Sequence, residues 1–208
     1  MKWYDAFSSF YDKSLEKLYF ESRARMVELL DVQPGDVVLD VACGTGANFI
    51  HFRNSGVENL KIYGTDYSDG MLKKAKALVS REKWDNMHLF QADARDLDED
   101  YFSNRKELPN SFDCVVCVLG LSVIPDWEKV LDQLLGILKP NGKIIIVDVY
   151  AEKRDINTTI VEWVSKADLN RKIWQKLKIQ TDHFYEEQLP VKERKVGGKL
   201  FAAIGRKK

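Results

Sequence analysis

A buried strand followed at once by two glycines is the part of this chain best suited to binding a ligand. Val37 to Val41 is a valine-rich run, typical of a strand buried on both faces of a parallel sheet. Gly44 and Gly46 come next, and Phe49 begins a helical pattern. Because glycine has no Cβ, such a turn lets backbone N–H groups approach a ligand closely. The pattern predicts a nucleotide-type cofactor at this turn.

Two side chains distinguish between the cofactors that could bind there. The dinucleotide fingerprint has a third small residue three positions after the second glycine, but here that residue is Phe49. Asp40, an acid within the strand, would repel a pyrophosphate and suits a ligand that carries an amine or another cation. Both side chains disfavour NAD. They favour a ligand with adenosine at one end and an amino acid at the other, which is S-adenosylmethionine.

The stretch Asp40-Val41-Ala42-Cys43-Gly44-Thr45-Gly46 resembles motif I of the class I S-adenosylmethionine-dependent methyltransferases. It is most similar to the small-molecule branch, which includes the ubiquinone/menaquinone-biosynthesis and phospholipid N-methyltransferases. The resemblance runs from about Tyr4 to the C-terminus. It implies an α/β fold with a Rossmann-like, doubly wound, seven-stranded sheet, mostly parallel with an antiparallel C-terminal hairpin strand.

The resemblance also implies where the cofactor binds. Asp66 ends the second predicted strand and would accept hydrogen bonds from the ribose hydroxyls, although an aspartate here could instead cap a helix. Asp93 ends the third strand and would accept from the adenine amino group while Ala94 donates from its backbone; a turn-forming aspartate is the alternative. The full set of expected cofactor contacts is Asp40, Ala42, Gly44, Gly46, Asp66, Tyr67, Met71, Asp93, Ala94 and Leu119.

Helical and strand patterns alternate along the chain, as such a sheet requires. The predicted strands span residues 37–41, 60–66, 87–94, 111–120, 143–148, 184–187 and 199–206, and the predicted helices span 14–30, 68–79, 127–138 and 156–179. Residues 97–110 are predicted to form an exposed excursion. We expect a single methyltransferase domain over residues 1–208, with a helical cap (1–30), a cofactor-binding core (31–150), and a variable lid helix with the final strands (151–208).

Methyl transfer from a sulfonium is an in-line displacement, so the protein mainly positions the reactants and excludes water. The predicted catalytic residues are Tyr11 and Tyr19, with Asp148 as a further candidate base, and each of them could equally have a structural role. The aromatic N-terminus could cap the cofactor or simply pack on the domain. Likewise Trp163, Arg171 or Trp174 could line a lid, or the tryptophans could belong to the core.

Charge and cysteine usage narrow the function further. The 32 basic and 32 acidic side chains cancel, which disfavours a dedicated nucleic-acid binder.

The chain shows no apolar run of membrane-spanning length and no signal-peptide core, so we predict a cytoplasmic protein, with peripheral membrane contact left open. Cys114 and Cys117 imitate a metal motif, but an offset of three within a strand places them on opposite faces, so no metal is expected.

The sequence therefore predicts an S-adenosylmethionine-dependent methyltransferase that acts on nitrogen or carbon of a small molecule or lipid head group. A phospholipid amine and a ring carbon of a quinone precursor are the two acceptors considered. A non-catalytic scaffold with the same fold is the first alternative, and an NAD-dependent oxidoreductase is the second. The oligomeric state does not follow from the sequence.

Overall fold

A single mixed sheet organises the protein. The computed structural model describes residues 18–152, 158–159, 162, 166–191 and 198–208. The sheet has seven strands: β1 (Val37–Val41), β2 (Lys61–Asp66), β3 (Met87–Gln91), β4 (Phe112–Val118), β5 (Leu138–Tyr150), β6 (Thr181–Gln188) and β7 (Lys199–Lys207). Their order is β3-β2-β1-β4-β5-β7-β6; β1 to β5 pair in parallel, and β7 is antiparallel to both β5 and β6. The predicted fold class is confirmed.

Helices and a hydrophobic core lie on each side of this sheet. The described helices are α1 (Phe20–Leu30), α2 (Phe49–Asn54), α3 (Asp69–Arg81), α4 (Glu99–Ser103), α5 (Trp127–Gly136) and α6 (Ile173–Gln180). One core holds Met26 and Phe49, and the other holds Leu131 and Leu177. Strand residues alternate between the two cores because successive side chains of a strand point to opposite faces.

The cysteines of β4 follow this alternation. Cys114 belongs to the core that contains Met26, and Cys117 belongs to the core that contains Leu131. Both thiols are buried and free. The prediction that they lie on opposite faces is confirmed.

The prediction of an exposed excursion over residues 97–110 is wrong in part: most of the segment is exposed, but two of its apolar residues are not. Leu97 and Phe102 are fully buried, and the ring of Phe102 packs edge-on against Phe112 at 5.0 Å between centroids. The segment forms the short helix α4, and the side chain of Asp98 caps it by accepting from the N–H of Tyr101 at 2.8 Å. Leu97 and Phe102 are five positions apart in a stretch that is acidic and then polar, so no helical or strand period indicated their burial.

The single helix predicted over residues 156–179 is also wrong in part. Residues 166–172 are not helical, and α6 begins only at Ile173. Lys166 has a φ of +56°, which a right-handed helix does not accommodate. Trp174 packs edge-on against Tyr150 and Phe201, with ring centroids 4.7 and 5.0 Å away, so it covers the sheet as the structural alternative predicted. Trp163 lies outside the described residues.

Among the described residues, none of the helices combines the length and the apolar character that a membrane span requires.

The buried ammonium of Lys143 joins the sheet to the end of α1. Its Nζ donates to the carbonyls of Leu30 (3.0 Å) and Asp31 (2.6 Å) and to Oδ2 of Asp31 (3.0 Å). We expect Lys143→Met to lower the free energy of unfolding by about 1.5–3 kcal/mol, because buried carbonyls lose a charged donor. Urea unfolding measures the change.

Lys139→Met is the matched control for that variant. Lys139 pairs with Asp113 at 2.7 Å, but both side chains are partly exposed. An exposed ion pair contributes about 1 kcal/mol or less. Equal losses for the two variants would contradict a specific role of Lys143.

Candidate active site

The turn after β1 has an unusual backbone. Ala42, Gly44 and Gly46 all lie in the left-handed region, with φ of +54°, +58° and +87°. The N–H of Cys43 donates to the carbonyl of Thr65 at 2.9 Å, which fixes the turn to the end of β2. A non-glycine residue held at positive φ is a form of strain that clusters at functional sites. The sequence prediction of a ligand-binding turn thus coincides with a strained, anchored loop.

The two glycines have different surroundings. A Cβ built on Gly44 would meet no atom within 4 Å, whereas a Cβ on Gly46 would lie 2.7 Å from two ring atoms of Phe49. A Cβ on Gly64 of β2 would also lie 2.8 Å from that ring. Phe49 is fully buried. Gly46 therefore makes room for the phenyl ring, and Gly44 faces open space that a ligand can use.

Asp66 and this turn are bonded to each other. The Oδ2 atom of Asp66 accepts from the N–H of Gly44 at 2.8 Å, and Oδ1 accepts from the N–H of Ser68 at 2.8 Å. Burial raises the pKa of Asp66, while the hydrogen bonds from these backbone groups lower it. Each carboxylate oxygen keeps a lone pair for another donor. The structure thus brings two predicted site residues, Gly44 and Asp66, into direct contact.

Tyr67 and Met71 flank Asp66. Tyr67 is exposed, and its carbonyl accepts from Nε2 of Gln91 at 2.9 Å. Met71 is buried, and its N–H donates to the Oγ of Ser68 at 3.2 Å, so Ser68 caps the start of α3. Their cofactor contacts stay predictions.

Asp40 is the fourth of the five residues of β1, and its carboxylate is fully buried. Both of its oxygens are 3.0 Å from Nδ2 of Asn48. Burial raises the pKa of Asp40 to about 7, and the negative charge of Asp66 adds to this effect, while Asn48 and the positive charge of Arg23 lower it. Asp40 is therefore an acid that changes charge near neutral pH.

This raised pKa predicts how stability depends on pH. Folding raises the pKa of Asp40, so the folded state binds more protons and wild type loses stability as pH rises from about 4 to about 7. In Asp40→Asn residue 40 has no titratable group. We therefore expect the free energy of unfolding of Asp40→Asn minus that of wild type to increase by roughly 2–4 kcal/mol between pH 4 and pH 8.

Urea unfolding of both proteins at the two pH values measures this shift. Asp69→Asn, which removes an exposed carboxylate that pairs with Lys73 at 2.8 Å, controls for the loss of a surface charge. A difference between Asp40→Asn and wild type that stays constant with pH would refute the prediction.

Asp93 and Ala94 begin the short turn after β3. The guanidinium of Arg95 donates to both carboxylate oxygens of Asp93, with Nη2 2.6 Å from Oδ2, and this lowers the pKa of Asp93. Ala94 is buried in the core that contains Leu131. Asp93 is thus an ionised acceptor that already has a partner, and its contact with adenine stays a prediction.

Leu119 and the turn after β4 form the other side of this sheet edge. Leu119 has a φ of +57°, and its N–H donates to the carbonyl of Val147 at 2.7 Å. The fully buried carboxylate of Asp148 accepts from the N–H groups of Ser122 (2.8 Å) and Val149 (2.9 Å). The guanidinium of Arg171 donates to the carbonyls of Leu121 and, at 2.6 Å, Ile124. These contacts fix the turn from two sides, so Asp148 and Arg171 act here as structural anchors.

The two predicted catalytic tyrosines differ in position. Tyr19 immediately precedes α1 and is buried in the core that contains Met26. This burial favours its packing role. Tyr11 lies outside the described residues. Both catalytic assignments stay predictions.

Residues 33–192 match the family model described as "Methyltransferase domain". The chain belongs to the methyltransferase domain family. This confirms the resemblance found in the sequence to the methyltransferases that use S-adenosylmethionine, and it gives no support to the NAD-dependent alternative.

Individual methyltransferases resemble the chain in sequence or in fold. Demethylmenaquinone methyltransferase of Bacillus mycoides is 33% identical over 129 residues, which are 61% of this chain and 50% of that protein. The chain thus spans about half the length of the curated relatives it matches. Phosphoethanolamine N-methyltransferase 2 of Haemonchus contortus, solved with S-adenosylmethionine, has a TM-score of 0.70 at 16% identity over 97% of this chain and 60% of that one.

A third similar protein is geranyl diphosphate C-methyltransferase of Streptomyces coelicolor. Its TM-score is 0.71 at 9% identity, over 92% of this chain and 80% of that one. At such identities the two structures show a shared fold only.

Asn48 and Arg23 are polar residues of the site that the sequence did not predict. Asn48 follows Gly46 by two positions and is almost fully buried against Asp40. The available signal was a lone amide at the start of an apolar helix, two residues after the loop. Arg23 precedes Asn48 by 25 positions, so its proximity depends on how α1 packs.

Proposed function

We propose that this protein is a methyltransferase that transfers a methyl group from S-adenosylmethionine to nitrogen or carbon of a small molecule or lipid head group. The observation that carries the proposal is the meeting of Asp40, Gly44 and Asp66 at the carboxyl ends of β1 and β2. Ligands of open α/β sheets bind at this edge.

The residues at this edge suit S-adenosylmethionine. The open space above Gly44 can accept the ligand, since a Cβ there would meet no atom within 4 Å. Asp66 can accept hydrogen bonds from ribose hydroxyls. Asp40 can face an ammonium, whereas its carboxylate would repel a pyrophosphate. The cofactor supplies a methyl group that is already electrophilic. The protein then has to bind, orient and exclude water.

Two observations support a small acceptor or a lipid head group. The charges of the chain balance, which disfavours a polyanionic substrate. The sequence relative at 33% identity is named for demethylmenaquinone. A phospholipid amine and a ring carbon of a quinone precursor are therefore the acceptors to test first.

Calorimetric titration with S-adenosylhomocysteine, with NAD titrated in parallel, tests the cofactor. Micromolar binding of S-adenosylhomocysteine alone supports the proposal. Tight binding of NAD together with no binding of S-adenosylhomocysteine would overturn the proposal.

Transfer of a labelled methyl group to a panel of phospholipid amines and quinone precursors tests the acceptor. Transfer only to RNA or protein would contradict a small acceptor. Cofactor binding without transfer to any of these substrates would favour the non-catalytic scaffold.

Four other expectations from the sequence stay predictions. They are a single domain over residues 1–208 with a cap and a lid, a cytoplasmic location, peripheral contact with a membrane, and the absence of a nucleic-acid partner.

A further inference from the structure

Asn48 occupies a helix-capping position but does not use its side chain to cap the helix. It precedes α2 directly, and its side chain makes no capping hydrogen bond. Asparagine at this position usually accepts from a backbone N–H of the first helical turn. Here the side-chain amide faces two charged groups instead, so its hydrogen-bonding capacity serves the site.

The amide of Asn48 lies between a carboxylate and a guanidinium. Its Nδ2 is 3.0 Å from each carboxylate oxygen of Asp40, and its Oδ1 accepts from Nη1 of Arg23. Rotating the amide by half a turn would place its oxygen against the carboxylate and its NH2 against the guanidinium. The two charges therefore hold the amide in one orientation, and the amide in turn holds the carboxylate.

Among the described residues, charged and titratable groups around Asp40 come from several elements. Asp66 at the end of β2 and Cys43 in the turn after β1 interact electrostatically with Asp40, and so does Cys117 of β4, which points to the opposite face of the sheet. Arg23 from α1 contributes positive charge. His51 of α2 lies in the field of Arg23, and its pKa is lowered to about 4 by burial, so it is neutral near pH 7.

We propose that Asn48 and Arg23 are positioning residues that keep the buried Asp40 carboxylate oriented and ionised for the ammonium group of S-adenosylmethionine. This inference rests on the proposed function. A protonated Asp40 offers the ammonium no opposite charge, so binding requires that the proton of Asp40 passes to the solvent. Cofactor affinity then falls as pH falls through the pKa of Asp40, which is about 7.

The dissociation constant of S-adenosylhomocysteine, which carries the same ammonium, measures this link. If only ionised Asp40 binds the ligand, wild type should bind roughly ten-fold more weakly at pH 6 than at pH 8, since affinity scales with the competent fraction. Asn48→Leu removes the donor and the connection to Arg23, so the pKa of Asp40 should rise and the ratio should grow to several tens-fold. Arg23→Met tests the same connection without removing the amide.

Two variants serve as controls. Asp40→Asn removes the titration of residue 40, so any remaining pH dependence belongs to the ligand or to Asp66, whose pKa is also raised by burial. Asn86→Leu removes another partly buried amide, whose Nδ2 donates to the carbonyl of Leu60 at 2.8 Å. This amide lies at the amino ends of β2 and β3, away from the candidate site at their carboxyl ends. Asn86→Leu should keep the wild-type affinity ratio.

A titration of labelled aspartate carboxyl carbons by NMR gives a readout without ligand. The Asp40 signal, assigned by its loss in Asp40→Asn, should titrate at higher pH in Asn48→Leu and Arg23→Met than in wild type.

The outcomes separate this inference from the proposed function. An equal loss of affinity at both pH values in both variants, with an unmoved Asp40 titration, would overturn the positioning role alone. Failure of wild type to bind S-adenosylhomocysteine at any pH would overturn the proposed function and this inference with it.

Discussion

Gly44→Ala is expected to weaken the binding of S-adenosylhomocysteine about ten-fold or more, while lowering the free energy of unfolding by only about 1–2 kcal/mol. The stability loss is small because the new Cβ would meet no atom within 4 Å and only the φ of +58° is unfavourable for alanine. The affinity loss is large because the methyl group would project into the space above the loop. Calorimetry and urea unfolding measure the two quantities.

Two other glycines make this expectation specific. Gly56 also lies at positive φ (+71°), and a Cβ added there would meet no atom within 4 Å, so Gly56→Ala should show the same small stability loss and unchanged affinity. In Gly46→Ala the Cβ would lie 2.7 Å from the buried ring of Phe49, which adds about 1–3 kcal/mol of overpacking. Wild-type affinity in Gly44→Ala would show that the cofactor does not lie against this loop.

Asp66→Ala is expected to affect binding and stability together. The variant leaves the N–H groups of Gly44 and Ser68 without their 2.8 Å acceptor, and it removes the predicted partner of the ribose hydroxyls. Because a hydrogen bond to a charged group contributes about 1.5–3 kcal/mol, affinity for S-adenosylhomocysteine should fall roughly ten-fold or more and the free energy of unfolding should fall by a similar amount. Calorimetry measures the affinity, and urea unfolding measures the stability.

Asp69→Ala is the matched control for this second variant. Asp69 is the first residue of α3, three positions after Asp66, and its exposed carboxylate pairs with Lys73 at 2.8 Å. An exposed substitution of this kind usually changes stability by about 0.5 kcal/mol or less. Unchanged affinity in Asp66→Ala would mean that the site was assigned to the wrong carboxylate.

Much of the fold follows from local patterns in the chain. The valine-rich run of β1, the glycines after it and the acid at the end of β2 predict a parallel sheet with a ligand at its carboxyl edge, because buried strands and tight turns select particular residue types. Phe49 is a second case in which the type of one residue predicts the local structure. Its size argued against a dinucleotide turn, and its ring does fill the space beside Gly46 and Gly64 that a Cβ would occupy.

Other features depend on packing partners that are far away in the chain. Leu97 and Phe102 lie among acidic residues, and their burial follows from contact with the sheet, including the Phe102–Phe112 ring pair. The sequence allowed Trp174 to line a lid or to pack in the core, and its contacts with Tyr150 and Phe201 show that it packs on the sheet. An irregular apolar pattern does not specify which surface it will meet.

The sequence by itself predicted the family, the seven strands in their chain order, and Asp40, Gly44 and Asp66 as candidate site residues, because these predictions depend on residue type and short spacing. Only the tertiary structure decided that Asp66 bonds to the Gly44 turn and that Asn48 connects Asp40 to Arg23. The physical reason is that burial and hydrogen-bond geometry arise when separate elements pack, and the pKa of Asp40 depends on that environment rather than on its neighbours in the chain.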